Sequence, residues 1–378
     1  MSKVCITGGA GFIGLALTRE LLDNGYEVKI IDNLSPQIHS HNPLDHKTFD
    51  GVDFIKGDIR DEYLLKEAIS DVDHFVHLAA ETGTGQSMYM AEHYSDVNVM
   101  ATSKIFDLIV NKKIKNKLKS IVVASSRSIY GEGAYLCKKH GRVFPKSRDH
   151  EFLDKGFFEP LCPICSSDIY PTATREDDLV NPISIYAMTK FFQEKSLLAC
   201  AKILGINGIA LRYQNVYGPG QSLNNPYTGI LSIFANLAKD NKPIEIYEDG
   251  IESRDFVYID DVVCATKNAM FLKNKYTGAI NIGSGVSVSV IEVAKNIRNH
   301  FNSDAEFIQV GTYREGDIRH NYADLNIASS VLNFSPGVDF KTGIKEFLNW
   351  SASNSGRSGE LYLASRDELS NLGLINRK

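Results

Sequence analysis

Two side chains of complementary chemistry stand four residues apart in the run Tyr186-Ala187-Met188-Thr189-Lys190. Residues i and i+4 share one face of a helix, so the phenol and the ammonium enter one site. A free tyrosine loses its proton near ~10, and a neighbouring cation favours the phenolate and brings it toward use as a general base. Alone, Y-x-x-x-K is a pattern that chance places on many surfaces. Upstream, Val122-Val123-Ala124-Ser125-Ser126-Arg127-Ser128-Ile129-Tyr130-Gly131 reads as a strand that ends in small hydroxyls. Ser125 and Ser126 there can cap a turn, or serve chemistry at the edge of a sheet where ligands bind. A third group is Cys137 and His140 with Cys162 and Cys165, a C-x2-H and a C-x2-C pair. Each pair can clasp one side of a tetrahedral zinc ion, and a metal would hold together a loop-rich segment with few apolar residues. Unligated thiols and a redox pair are the other readings of these cysteines.

The elements that must position these groups begin at the N-terminus. Val4-Cys5-Ile6-Thr7 is an apolar strand that runs into Gly8-Gly9-Ala10-Gly11-Phe12-Ile13-Gly14 and then into a helical pattern over Phe12–Asn24. Gly9, Gly11 and Gly14 fit G-x-G-x-x-G, and Gly8, Gly11 and Gly14 fit G-x-x-G-x-x-G. Such glycines turn sharply, admit a pyrophosphate to the backbone N–H groups, and let the helix pack close to the strand. The helix N-terminus adds its free N–H groups and positive dipole end. A second strand, Glu27–Ile31, ends at Asp32, about 20 residues beyond the glycines, where a carboxylate accepts hydrogen bonds from an adenosine ribose. A carboxylate there repels a 2′-phosphate, so the expected dinucleotide is NAD(H) and not NADP(H).

Composition sets the outer bounds. The chain has 378 residues, 43% of them hydrophobic, enough for one large α/β domain and a smaller lobe. A formal net charge of −5 provides no basic field for nucleic acid, and an anionic ligand must be held by local arginines and helix ends. The run Lys112–Lys119 reads as a solvated helix end, with a nucleic-acid or partner patch as the alternative. No apolar stretch approaches a membrane span, and the first strand leaves no room for a signal peptide, so a cytoplasmic protein is expected. Cys5, Cys200 and Cys264 sit in apolar patterns and read as reduced core residues.

Strand and helix patterns alternate, the mark of a parallel sheet covered on both faces. Strands are expected at Lys3–Thr7, Glu27–Asp32, Val52–Lys56, His74–Leu78, Ser120–Ala124 and Gly208–Arg212. Helices are expected at Phe12–Asn24, Glu62–Ser70, Ala91–Asn111 and Ile185–Leu204. The fold class is therefore α/β: a Rossmann-type doubly wound parallel sheet with a smaller C-terminal α/β substrate lobe and a Cys-rich insertion. Residues 1–130 and 183–215 form the dinucleotide-binding domain, and 131–182, rich in Pro, Gly, Cys and charge, the insertion. Residues 216–350 form the smaller lobe, with some return to the main sheet. That part carries helix patterns at Gly229–Lys239, Asp260–Phe271, Ser289–Phe301 and Gly343–Trp350, and strands at Ile244–Tyr247 and Gly278–Ile282. Residues 351–378 are read as a tail, with Ser351–Arg357 polar and flexible by composition.

Taken together these motifs resemble the extended short-chain dehydrogenase/reductases of the NAD-dependent nucleotide-sugar epimerase/dehydratase family, over almost the whole chain. Thr7–Gly14 is similar to T-G-G-x-G-F-I-G, which extends the cofactor set to Gly8, Gly11, Phe12, Ile13 and Gly14. Asp32-Asn33-Leu34 resembles the D-N-L at the adenosine ribose, Asp58-Ile59 the residues at adenine, and Leu78-Ala79-Ala80 the strand end beneath the cofactor. The resemblance implies Ser126 as the catalytic hydroxyl, Tyr186 as the base and Lys190 as its partner. Leu211-Arg212-Tyr213-Gln214-Asn215-Val216-Tyr217-Gly218-Pro219 resembles L-R-Y-x-N-V-Y-G-P, which places Asn215 at a substrate diphosphate. Arg254 and Arg314 resemble the two arginines that grip it, and arginine forks suit such a dianion. Arg254 could otherwise be a surface ion pair.

Members of this family begin by oxidising a sugar hydroxyl, usually at C4, with NAD⁺. Dehydratases then use an Asp-Glu pair directly after the catalytic hydroxyl residue, and here those positions are Arg127 and Ser128. That departure argues for an epimerase, in which NAD stays tightly bound and is regenerated. The loop Glu81-Thr82-Gly83-Thr84-Gly85-Gln86-Ser87-Met88 resembles that of the 4-epimerases acting on dTDP-L-rhamnose and related sugars, with Thr82 and Gln86 as sugar contacts; UDP-hexose 4-epimerases come next. An enzyme with net redox change and a non-catalytic NAD sensor are the competing classes. Asp32 speaks against the first, since such reductases favour NADP(H). The Tyr186–Lys190 pair speaks against the second. The implied partner is a nucleotide-diphosphate sugar. Family resemblance also implies a homodimer through helices Ala91–Asn111 and Ile185–Leu204, which from sequence alone could equally cover the sheet of a monomer.

Overall fold

The computed structural model describes residues 2–39, 46–114, 117–225, 229–354, 356 and 358–376. Lys115, Asn116, Ser355 and Arg357, which belong to two of the runs read above, lie outside the described residues. Seven parallel strands form the central sheet: β1 (Lys3–Thr7), β2 (Glu27–Asp32), β3 (Val52–Lys56), β4 (His74–His77), β5 (Ser120–Ser126), β6 (Asn207–Tyr213) and β7 (Thr277–Ile282). Their spatial order is β7-β6-β5-β4-β1-β2-β3, the doubly wound arrangement in which the order reverses at β1. Thr7 is in register with Ile31 on one side and His77 on the other, so the C-terminal ends of the central strands reach one edge together.

Alternate residues along each strand face opposite layers, as the pleat requires. Val4, Ile6, Ile30, Val122 and Ile280 pack with Leu17 and Leu21 of helix Phe12–Asp23 and with helix Ile259–Met270. Cys5, Ile31, Phe75, Ile121 and Val123 pack on the other side with Leu65, Ile105, Leu108 and Leu197. Helix Ile185–Leu204 starts where the Ser184 side chain accepts from the Ala187 N–H and stops at Gly205, whose φ is 69°, a left-handed cap that glycine takes without strain.

Two expectations are corrected. The helix expected over Ala91–Asn111 is interrupted: α-helical turns at Ala91–Tyr94 and Ala101–Val110 flank a π-helical segment, Ser95–Met100. Within that segment Asn98 accepts from the Glu81 N–H and donates to the Glu81 carbonyl and to Thr189 Oγ1. The widened turn thus ties the loop after β4 to the helix that carries Tyr186. The second correction concerns the C-terminal tail. Helix Phe340–Ala352 is followed by a further helix, Ser358–Asn371, and by a strand, Ile375–Asn376, that pairs antiparallel with Tyr313–Arg314. The segment is held by its apolar side chains: Leu369 is buried and Tyr362 packs on the main core.

The return of the second half to the main sheet is made by β7 and helix Ile259–Met270. The smaller lobe contains strands Asn215–Tyr217, Ser253–Tyr258, Ser287–Ser289 and His320–Asn321 with helices Ile230–Lys239 and Val290–His300. The insertion folds as a three-stranded antiparallel sheet of Tyr135–Cys137, Gly141–Val143 and Ile169–Pro171. It is plugged into the lobe by buried charge. Arg148 pairs with Glu132 at 3.1 Å and Glu248 at 2.8 Å, and Arg319 meets Glu159, Glu248 and Asp249 within 2.9 Å. The exposed outer surface of the two helices named for a dimer carries Met100, Met188 and Phe192. Among the described residues no helix is long and apolar enough to cross a membrane.

One buried pair joins the layers beside the chemistry. Glu194, two turns past Tyr186 on its helix, takes both prongs of Arg212 from β6 at 3.0 and 2.7 Å and the Ser125 hydroxyl from β5 at 2.7 Å. The two side chains are 0% and 3% exposed. Removing one partner leaves an uncompensated charge, so Arg212→Ala should lower the unfolding free energy by about 3–5 kcal/mol. Urea denaturation measures this, and a loss under about 1 kcal/mol would show that the pair does not hold the layers together.

Candidate functional site

Strand β1 ends in a glycine turn whose shape admits no side chains. Gly8 has φ +69°, and a Cβ there would lie 2.8 Å from the Ala79 nitrogen. A Cβ on Gly14 would stand 2.4 Å from the Gly8 carbonyl oxygen and 2.7 Å from the Gly9 Cα. The result is a cradle of bare backbone at the N-terminus of helix Phe12–Asp23. It opens on a cavity of about 470 Å³ lined by Gly8, Gly11, Phe12, Ile13, Gly14, Asp32, Asn33, Asp58, Ile59, Leu78, Ala79, Ala80, Tyr186 and Lys190. The structure therefore brings all of these residues to one cavity; Gly9, which also fits the glycine spacing, does not line it and lies against the Ile30 side chain.

Asp32 accepts from the Ala10 and Leu34 N–H groups at 3.1 and 2.8 Å, which fixes its carboxylate at the cavity wall. Asn33 donates to Asp58, and the Arg60 side chain, by hydrogen bonding, holds the Asp58 carboxyl down at about 2. The glycine cradle, the carboxylate at the end of β2 and the polar pair Asn33–Asp58 fit the pyrophosphate, ribose and adenine of NAD.

The Tyr186–Lys190 pair is set by its neighbours. Lys190 Nζ donates to Gln193 Oε1 at 2.6 Å, and Gln193 in turn contacts His77 Nε2 at 2.9 Å. His77 meets Thr7 Oγ1 at 2.7 Å. Burial first, then the charge of Lys190, brings the imidazole down to about 3, so it is neutral. This chain of contacts locks the ammonium to the strand that begins the glycine turn. Burial brings Lys190 down to about 7. Burial raises the Tyr186 phenol, while a hydrogen bond from Ser126 and the charge of Arg127 work in the opposite direction. Ser126 accepts from the Ser128 N–H at 3.2 Å and from the Ser128 hydroxyl at 3.0 Å, which leaves its own O–H to donate toward Tyr186.

A second cavity, of about 360 Å³, meets the first at Thr82, Ser126, Tyr186, Tyr213, Gln214, Val216 and Gln221. Its walls include Asn215, Arg254 and Arg314. Arg254 is not a surface ion pair: it donates to the carbonyls of Ser253, Arg319 and Ile318. Arg314 pairs with Asp317 at 3.0 Å. Gln86 does not join the others; it is buried in hydrogen bonds with Gln37 and Tyr94 and lines neither cavity.

Three residues of this cavity were not singled out from sequence. Tyr362 and Tyr247 line it, joined by their hydroxyls at 3.0 Å. Tyr362, Ser365 and Leu369, at i, i+3 and i+7, share the buried side of their helix, a spacing that could have marked that helix. Glu252 also faces the cavity, and burial, with the like charge of Glu248, raises its carboxyl to about 7. Arg127 has a part beyond excluding an acid. Its Nε donates to Asn215 Oδ1 at 3.0 Å, its charge acts on Tyr186, and burial beside Arg254 lowers it to about 9.

Away from both cavities, Cys137, His140, Cys162 and Cys165 converge, with their ligand atoms all within 4.8 Å of one another. His140 Nδ1 lies 3.6 Å from the sulfurs of Cys137 and Cys162, and Cys137 and Cys165 are 3.9 Å apart. Bonds of about 2.3 Å to sulfur and about 2.0–2.1 Å to nitrogen in a tetrahedron require S···S near 3.8 Å and S···N near 3.5 Å, so the four groups fit a zinc ion.

Gly14→Ala tests the cradle. The added methyl forces the turn and helix apart, and the purified protein should retain less than about a tenth of the wild-type NAD, read by absorbance after denaturation. Full occupancy would show that the cradle does not hold the pyrophosphate.

The family model for the NAD dependent epimerase/dehydratase family matches residues 4–147 and 159–283. The chain is 36% identical to the dTDP-L-rhamnose 4-epimerase of Burkholderia thailandensis, over 94% of this chain and 96% of that protein. It is 31% identical to a putative UDP-glucose 4-epimerase of Methanocaldococcus jannaschii, over 93% of this chain and 99% of that one. Among solved structures it is similar to the Bacillus cereus UDP-glucuronic acid 4-epimerase in complex with UDP-glucuronic acid and NAD. That match has a TM-score of 0.73 and 26% identity, covering 93% of this chain and 99% of the other. MoeE5 in complex with UDP-glucose and NAD gives a TM-score of 0.72 at 28% identity, with the same coverage. With its glycine cradle, its Tyr186–Lys190 pair and these relatives, the chain belongs to the NAD-dependent epimerase/dehydratase family.

Proposed function

We propose that the chain is a nucleotide-sugar 4-epimerase with tightly bound NAD, which inverts the C4 hydroxyl of a sugar carried on a nucleoside diphosphate. The observation that carries the reading is the junction of the two cavities at Ser126 and Tyr186. One cavity fits NAD, and the other is walled by Asn215, Arg254 and Arg314, which suit a diphosphate. When bound, NAD supplies a reversible hydride acceptor beside the sugar carbon. Tyr186 takes the proton from the C4 hydroxyl, with Ser126 hydrogen-bonded to the same oxygen, and returns it after the 4-keto sugar has turned its other face. Arg127 supplies positive charge that favours the phenolate, and Lys190, on the same helix face, adds to it when protonated. Neither Arg127 nor Ser128 can deliver the carboxylic-acid proton of a dehydratase.

The 36% identical relative acts on dTDP-L-rhamnose, and we take a dTDP-6-deoxyhexose as the substrate, with UDP-hexoses as the second reading. Wild-type protein incubated with dTDP-L-rhamnose, UDP-glucose and their C4 epimers should interconvert one pair without added NAD. Tyr186→Phe should lower turnover by about 10²–10⁴ while keeping NAD bound. Undiminished turnover would contradict the base assignment, and stoichiometric consumption of added NAD(H) would contradict an epimerase.

The Cys137, His140, Cys162 and Cys165 cluster is read as a structural zinc site. With four protein ligands it has no open position for chemistry. Elemental analysis should find about one zinc per chain, and replacing Cys162 and Cys165 by Ser should remove it and lower the melting temperature. Metal-free wild-type protein with an unchanged melting temperature would overturn the assignment.

A further inference from the structure

We propose that the C-terminal segment 358–376 is a fixed wall of the nucleotide-sugar cavity, and that Tyr362 contacts the nucleoside end of the bound sugar nucleotide. This rests on the epimerase reading above.

The attachments of the segment converge on that cavity. Helix Ser358–Asn371 packs along helix Ile230–Lys239, whose Ile230, Leu231 and Phe234 line the cavity. Tyr362 itself lines it and donates to the Tyr247 hydroxyl. One turn on, Arg366 donates to Glu245 Oε1 at 2.6 Å. Leu369 lies where a Cβ on Gly85 would be 3.4 Å away, and Glu368 accepts from Tyr89 at 3.1 Å. The chain then turns, the Glu315 N–H donates to the Leu374 carbonyl, and Ile375–Asn376 pair with Tyr313–Arg314. Gly85, Glu245, Tyr247, Tyr313 and Arg314 all line the second cavity.

The position along the cavity identifies the part of the ligand. Ser126 and Tyr186, where the sugar must react, lie at the junction with the first cavity. Tyr247, Arg314 and Tyr362 line only the second. The Arg314 guanidinium sits 5.1 Å from the centre of the Tyr247 ring, so two phenol rings and a cation share one recess. Flat apolar faces beside a guanidinium suit an aromatic base joined to a phosphate.

The test uses the full-length holoenzyme with UDP and dTDP as probes, titrated by calorimetry. Tyr362→Ala should weaken the tighter-binding nucleotide about tenfold, and Tyr362→Phe, which keeps the ring, should stay within about threefold of wild type. A chain ended at Gly356 should bind more weakly than Tyr362→Ala. Retained NAD, measured in parallel, should not change in Tyr362→Ala; the melting temperature should fall slightly for the lost packing on the core while the protein stays fully folded at the titration temperature. Wild-type affinity in both Tyr362→Ala and the shortened chain, with the wild type active on nucleotide sugars, overturns the wall and leaves the epimerase standing. Weakening matched by lost NAD or by partial unfolding at the titration temperature assigns the segment a bracing role and also overturns the contact. A wild type that binds neither nucleotide and epimerises no nucleotide sugar overturns the epimerase reading and this one with it.

Discussion

The carboxylate of Glu194 is the constraint on which the site depends. It is fully buried, and a charge in that position is tolerable only when its hydrogen bonds are filled. Arg212 and Ser125 fill them, and in doing so they fix helix Ile185–Leu204 against β5 and β6. Ser126 is the next residue after Ser125, and Tyr186 and Lys190 lie on the same helix as Glu194. The distance between the hydroxyl and the phenol is thus set by a buried pair, which has few other arrangements available to it. On the far side, Gln193 passes the same constraint through His77 and Thr7 to the glycine turn. The glycine turn and the Ser126, Tyr186 and Lys190 group are thereby parts of one linked unit.

The substrate side has a different problem, that of holding an anion in a chain of net negative charge. Arg127, Arg254 and Arg314 gather at one cavity, and their mutual repulsion is offset by buried acids. Asp317 pairs with Arg314, and the nearby Glu248 is shared between Arg148 and Arg319. Arg148 comes from the insertion, so the segment that carries Cys137, His140, Cys162 and Cys165 is tied to the cavity by charge. A dianionic diphosphate enters a region already organised around guanidinium groups, with little reorganisation left to make.

Much of this was legible in the sequence because it rests on local rules. Lys3–Thr7, Glu27–Asp32 and Val52–Lys56 are apolar runs stopped by glycine or polar residues, and their ends agree with expectation. The cofactor residues follow the glycine spacing and the acid at the end of β2, and Cys137, His140, Cys162 and Cys165 carry their own ligand spacing. What stayed hidden depends on partners far along the chain. Helix Ser358–Asn371 follows the polar run Ser351–Arg357, which hides it, and the partner of the last strand, Tyr313–Arg314, offers no local signal. The π-helical turn at Ser95–Met100 keeps the apolar spacing of an α-helix, so periodicity could not reveal it. Gln86 reads as a sugar contact from its loop, but Gln37 and Tyr94 hold it inside. Nor does any sequence pattern distinguish a buried glutamate such as Glu194 from a solvated one.

In the proposed epimerase reaction hydrogen leaves C4 and returns to the same carbon on the other face, with Tyr186 handling only the oxygen-bound proton. The direct measurement is turnover of a nucleotide sugar bearing deuterium at C4, in ordinary water and without added NAD, with the product examined by mass spectrometry and NMR. The expected product is a C4 epimer that keeps its deuterium at C4. Loss of the label to solvent, or its movement to a neighbouring carbon, would contradict it.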